Sequence, residues 1–170
     1  MIKDVVAKYA KAGPPPSPFS VHNEFDELDN HCHRDTLAEG ISELFHSRSV
    51  AAFGELLSQL YSRSDPAVRT GLIAVLLSAV RPVGASHSTA LAEVIDAFQR
   101  GELTADKGHR VSPGDVQQLA THAVRQDVSM LERVSDFYSQ HPHLVKTLDP
   151  DALRVILTKM ARKEAKLFVL

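Results

Sequence analysis

The chain has 170 residues, of which 44% are hydrophobic and 6% aromatic, and it has no tryptophan. This apolar content suffices for one domain with a sizeable aliphatic core, and it excludes a wholly disordered chain. The formal net charge of −2 excludes a whole-molecule field strong enough to capture nucleic acid or an anionic membrane. Cys32 is the single cysteine, so an internal disulfide is excluded and we expect a reducing, cytoplasmic location.

Residues 1–34 are predicted to form an N-terminal arm that precedes the helical core. Residues 13–18 contain four prolines, which remove backbone donors and favour an extended chain over a helix. The stretch that follows is acidic, and we expect it to form a loop or a short helix. Its carboxylates are those of Glu24, Asp26, Glu27 and Asp29.

From Asp35 onward, apolar residues recur at helical spacing after capping residues or prolines. Thr36 and Glu39 have the spacing of a capping box at the first of these helices. The later predicted helices begin near Val50, Pro66, Ser88, Pro113, Ser129 and Pro150. No segment shows sustained strand alternation. We therefore predict an all-α fold, a compact bundle of six or seven helices in a single domain over residues 35–170.

Residues 101–111 are polar, include two glycines and show no periodicity, which is typical of a loop. They are a candidate hinge between two halves of the domain, residues 35–98 and 112–170. The longest strongly apolar run, residues 72–80, is about half of the roughly 20 residues that a membrane-spanning helix requires. The sequence therefore predicts a buried core helix there and no transmembrane segment.

Positive charge is concentrated in the last predicted helix. From residue 154 onward five Lys or Arg residues stand against one Glu, which gives a local net charge of +4. On a helix these cations lie opposite the apolar row of Leu153, Ile156 and Met160. The predicted partner-binding residues are Arg154, Lys159, Arg162, Lys163 and Lys166. The alternative is a solvated helix whose last-turn cations complement its dipole.

A second candidate site is the cluster of His31, Cys32 and His33, because imidazole and thiolate groups are ligands of zinc and copper. The spacing does not favour a metal centre, since adjacent residues rarely point at one ion. No second ligand pair, such as HExxH or CxxC, supplies the remaining ligands. Metal binding through these three residues stays an alternative, and we expect no cofactor.

The sequence contains no GxSxG elbow, no Walker loop and no GxGxxG motif, so an enzyme is not favoured, although it is not excluded. The function that we predict is a non-enzymatic protein-interaction module, such as an adaptor, a regulator or an inhibitor-like binder. The alternative is binding of nucleic acid or an anionic surface through the basic C-terminal helix. The acidic region before Asp35 could instead lie against that helix and cover it. A homo-oligomer is also compatible with the sequence.

Overall fold

The structure is a computed structural model that describes residues 2–10, 21–78, 89–108 and 110–168. In these residues the regular secondary structure is helical and contains no strand, so the predicted all-α class is confirmed. The proline-rich stretch 13–18 and the predicted cap Ser88 lie outside the described residues. No helix in the described part of the chain has both the length and the hydropathy needed to cross a membrane.

The described residues form eleven helical segments, four more than the upper limit of the prediction. In chain order they are α1 (Ile2–Ala10), α2 (Val21–His31), α3 (Arg34–His46), α4 (Val50–Arg63), α5 (Pro66–Leu77), α6 (Thr89–Gln99), α7 (Ala105–Gly108), α8 (Pro113–Gln126), α9 (Met130–Ser139), α10 (Pro142–Val145) and α11 (Pro150–Phe168). The seven predicted helices correspond to α3, α4, α5, α6, α8, α9 and α11. Of the other four, α7 and α10 have only four residues each, and α1 and α2 lie in residues 1–34, the predicted N-terminal arm.

Several helices begin where a side-chain oxygen accepts a free backbone N–H of the first turn. Ser49, Asp65 and Ser112 cap α4, α5 and α8 in this way, with N···O distances of 3.1, 2.9 and 3.1 Å. The predicted capping box at Thr36 is wrong. The N-cap of α3 is His33, three residues before Thr36, so the helix begins at Arg34 and Thr36 is buried inside it.

The chain divides into two compact units, and the first combines residues 1–47 with residues 135–170. In this unit α11 contacts α1, α2 and α3. The buried side chains of α1 and α2 recur at helical spacing, which explains why both pack into the unit rather than forming a separate arm. They are Val5, Val6 and Tyr9 in α1 and Val21, Phe25 and Leu28 in α2.

The second unit comprises residues 48–134. Helix α4 packs against α8 and α5, and α5 also contacts α6 and α7. Gly54 allows the close approach of α4 to α8, because a Cβ atom there would lie 2.7 Å from the Thr121 hydroxyl. The core is mainly aliphatic, as the composition led us to expect, and it includes buried aromatic rings. Its largest buried side chains include Phe53, Leu57, Leu60, Tyr61 and Leu72.

These boundaries differ from the predicted halves, residues 35–98 and 112–170. Residues 101–111, the predicted hinge, lie inside the second unit and include the short helix α7. The boundaries fall instead after Ser47 and within α9. The buried hydroxyl of Tyr61 on α4 lies within hydrogen-bond distance of the carbonyl oxygens of Gly108 and Val111. The polar composition of residues 101–111 gives no indication of this contact.

Candidate functional site

Helix α11 carries the predicted basic residues and is the longest helix in the described chain. Asp149 begins it, with a carboxylate oxygen that accepts the backbone N–H of Ala152 at 2.8 Å, and Pro150 occupies the first turn. Its apolar row is fully buried, as the sequence indicated. That row consists of Leu153, Ile156, Leu157 and Met160.

Helix α3 runs antiparallel to α11 and approaches it closely at Gly40. A Cβ atom at Gly40 would lie 2.9 Å from both the Cγ2 atom and the carbonyl oxygen of Ile156, and 3.1 Å from Cγ of Met160. The absence of a side chain at this position lets the two backbones come together. Polar residues that flank Gly40 on α3 therefore reach the cations of α11.

Two ion pairs connect the exposed edges of these helices. Lys163 Nζ lies 2.5 Å from Glu39 Oε1, and Lys159 Nζ lies 3.9 Å from Glu43 Oε2. Residues four apart lie on the same face of a helix, so the two carboxylates of α3 match the two ammonium groups of α11. The side chains remain between one third and about one half exposed, and each such pair contributes about 0.2–1 kcal/mol to stability.

The cations Arg162 and Lys166 form a second row on α11. Both residues are exposed, and neither has an ion-pair partner among the residues that the structure describes. The two rows border a surface groove of about 620 Å³ in the first unit, which we call the α11 groove. It is lined by Ala10, Glu39, Glu43, Lys159, Arg162, Lys163, Ala165 and Lys166.

Arg154 does not belong to the α11 groove. Its guanidinium pairs with Asp151 at 3.0 Å, its side chain is 24% exposed, and its Nε atom is buried without a hydrogen-bond partner in the described residues. It lies close enough to Tyr9 to affect that phenol, whose pKa is raised mainly by burial and then by Glu24. Four of the five predicted cations therefore come together, and Arg154 is separate.

Two carboxylates of the acidic stretch of α2 pair with lysines that lie outside α11. Glu24 pairs with Lys8 of α1 at 2.5 Å, and Asp26 pairs with Lys146 at 2.5 Å. Helix α2 nevertheless packs against α11 through its apolar face. The carboxylates beside the basic row come from α3, and the sequence analysis did not identify them. The sequence signal for these ion pairs is the spacing of the charges: Glu39 and Glu43 are four residues apart on α3, as Lys159 and Lys163 are on α11.

The three predicted metal-binding residues do not converge. His31 ends α2, with Nδ1 3.0 Å from the carbonyl oxygen of Glu27, and the exposed His33 lies at the start of α3. Within residues 2–10, 21–78, 89–108 and 110–168, no group of three or more His, Cys, Asp or Glu side chains could hold a metal ion. This arrangement gives no support to a metal centre at the cluster.

Cys32 is half-buried beside the α11 residue Glu164. Burial, followed by the effect of the Glu164 carboxylate, raises the pKa of the Cys32 thiol to about 12. The thiolate is the form that attacks electrophiles and binds metals. At neutral pH this side chain is therefore a protonated, weakly reactive thiol beside α11.

Comparisons of this chain with models of protein families, with curated proteins and with solved structures found no match. The functional argument therefore depends on the α11 groove itself. Its lining combines four cations with two carboxylates and two small apolar residues, Ala10 and Ala165. Such a surface can bind carboxylates or other anions.

Proposed function

We propose that this chain is a non-enzymatic interaction module that binds an acidic segment of a partner protein in the α11 groove. The observation that supports this proposal is the pair of exposed cations, Arg162 and Lys166, without an acidic partner in the described residues. Guanidinium and ammonium groups donate hydrogen bonds to carboxylates, and Arg does so in a bidentate geometry.

The expected binding is weak and sensitive to salt. Each exposed ion pair between the partner and the groove contributes about 0.2–1 kcal/mol, and such pairs are screened at physiological ionic strength. Charge complementarity of this kind contributes more to specificity and to the rate of association than to affinity. These properties suit a reversible adaptor or regulator.

The second candidate function is binding of nucleic acid by the same cations. The carboxylates of Glu39 and Glu43 argue against it, because they line the groove beside the cations and repel phosphate groups. Four cations and two carboxylates leave the groove with a net charge of only +2. A duplex with regularly spaced phosphates requires a more extended positive surface.

The test is cross-linking in the source organism before lysis, followed by untagged purification and mass spectrometry. We compare the wild type with the double variant Arg162→Glu/Lys166→Glu. The matched control is Arg110→Glu/Arg125→Glu, which makes the same charge change at exposed residues of the second unit. We expect a defined protein, cross-linked through an acidic segment to α11, that is lost only in the first variant.

Two results would count against the proposal. If the same partner is recovered with Arg162→Glu/Lys166→Glu, the α11 groove is not its binding surface. If nuclease-sensitive nucleic acid is recovered instead, and only when Arg162 and Lys166 are intact, the second candidate function replaces the first.

A further inference from the structure

The two rows of cations on α11 differ in their access to a partner. Lys159 and Lys163 face the carboxylates of Glu43 and Glu39, at 3.9 and 2.5 Å. Arg162 and Lys166 lie in the adjacent row of α11, and in the described residues they form no ion pair with those carboxylates. An incoming acidic segment therefore meets two open cations and two that are already paired.

We infer that Glu39 and Glu43 determine the selectivity of the α11 groove by competing with the partner for Lys163 and Lys159. This inference rests on the proposed function. The two carboxylates limit the site to acidic segments that need only Arg162 and Lys166, and they weaken the binding of longer polyanions. They are specificity-determining residues, in addition to the small contribution that their ion pairs make to stability.

The exposure of these side chains makes the competition reversible. The four side chains of the two ion pairs are 36–52% exposed, so water competes with each pair and a pair can open without uncovering the core. A partner carboxylate that approaches Lys163 must displace Glu39, and it is repelled by that group as it approaches. Neutral glutamine at positions 39 and 43 removes both effects and leaves the size of the side chains almost unchanged.

The experiment measures fluorescence anisotropy of a labelled octaglutamate peptide against the full chain at low ionic strength. The variant is Glu39→Gln/Glu43→Gln, and the matched control is Glu55→Gln/Glu93→Gln, which neutralises two exposed carboxylates of the second unit. We expect the first variant to bind the peptide about two- to thirtyfold more tightly than the wild type, with a steeper dependence on salt. The control stays within about twofold of the wild type.

A complementary variant keeps the inference falsifiable if Glu39→Gln/Glu43→Gln does not fold. Because Lys159 and Lys163 are already paired, Lys159→Gln/Lys163→Gln should weaken peptide binding less than Arg162→Gln/Lys166→Gln does. Unfolding by urea, followed by circular dichroism, monitors stability in parallel. A purely structural role for Glu39 and Glu43 predicts lower stability with no gain in affinity.

The outcomes separate the inference from the proposed function. Wild-type binding that depends on Arg162 and Lys166, but does not increase in Glu39→Gln/Glu43→Gln, overturns the inference and leaves the proposed function. Absence of peptide binding by the wild type and by all variants overturns both. Tighter binding of a short DNA duplex than of octaglutamate by the wild type also overturns both, because the two carboxylates then fail to exclude phosphates.

Discussion

At the scale of single residues, Tyr61 connects α4 to the segment between α7 and α8. Its side chain is fully buried, and its hydroxyl lies 2.5 Å from the carbonyl oxygen of Val111 and 3.1 Å from that of Gly108. The hydroxyl has one proton, so it donates to the nearer carbonyl. Burial is the main reason why the pKa of Tyr61 is raised to about 12.

Replacing Tyr61 with Phe removes the only proton that this side chain can donate to the Val111 and Gly108 carbonyls. We expect Tyr61→Phe to lower the free energy of unfolding by about 1–3 kcal/mol, because a buried acceptor loses its partner. Urea unfolding followed by circular dichroism measures this change. The control is Ser62→Ala, which removes an exposed hydroxyl that donates only to the Gln59 carbonyl oxygen within α4. That variant should stay within about 0.5 kcal/mol of the wild type.

The same variant has a predicted pH dependence. The pKa of Tyr61 is higher in the folded chain than its ordinary value of 10.0, so the unfolded chain loses the proton first as the pH rises. The contribution of Tyr61 to the free energy of unfolding is fully present below about pH 10, and it is lost as the pH rises towards 12. Tyr61→Phe should therefore lose less stability than the wild type between these values. An equal loss in both proteins would contradict the assignment to Tyr61.

At the scale of secondary-structure elements, the close approach of α3 and α11 depends on Gly40. The nearest atoms to a Cβ at this position include the carbonyl oxygen of Ile156, which belongs to the backbone and cannot move by a rotamer change. The ion pairs Glu39–Lys163 and Glu43–Lys159 form across the same contact. Gly40 thus determines both the packing of the helices and the spacing of charges in the α11 groove.

Gly40→Ala should destabilise the chain by about 1–3 kcal/mol through overpacking, reduced by up to about 1 kcal/mol because Ala favours the helix. The control is Gly114→Ala in the first turn of α8, where the nearest atom to a Cβ is the Ser112 hydroxyl oxygen at 3.8 Å. That variant should be neutral or slightly stabilising. Equal unfolding midpoints in urea for the two variants would show that α3 and α11 can separate at little cost.

At the scale of the whole molecule, the two compact units differ in how the chain builds them. The second unit is one continuous segment, residues 48–134, whereas the first joins residues 1–47 to residues 135–170. Helices α1, α2 and α3 bury their apolar faces against α11, which lies far along the chain. The first segment therefore lacks its packing partner until α11 has been synthesised.

This difference predicts how fragments behave. We expect the fragment 48–134 to be helical and to unfold cooperatively on heating, because it contains its own core of α4, α5 and α8. The fragment 1–47 should show little helix, since its short helices are marginal in water without α11. Circular dichroism measures both. A non-cooperative fragment 48–134 would show that the second unit needs the remainder of the chain.

Much of the helical structure could be predicted from local signals. Helical periodicity and caps such as Ser49, Asp65 and Ser112 involve residues within a few positions of one another, and the structure contains these caps. Helices α1 and α2 were not predicted as parts of the packed body. Their buried faces are short, and proline and acidic residues next to them favour loops.

By itself, the sequence determined the helical class, the seven longer helices outside the N-terminal region and the cations of α11. Only the tertiary structure decided which carboxylates lie beside those cations, that Arg154 is separate from them, and that His31, Cys32 and His33 do not converge. Glu39 and Lys163 are 124 residues apart in the chain, and they meet because Gly40 allows α3 and α11 to pack closely. Helix formation depends on neighbours within about four residues, whereas the site depends on which buried faces fit together.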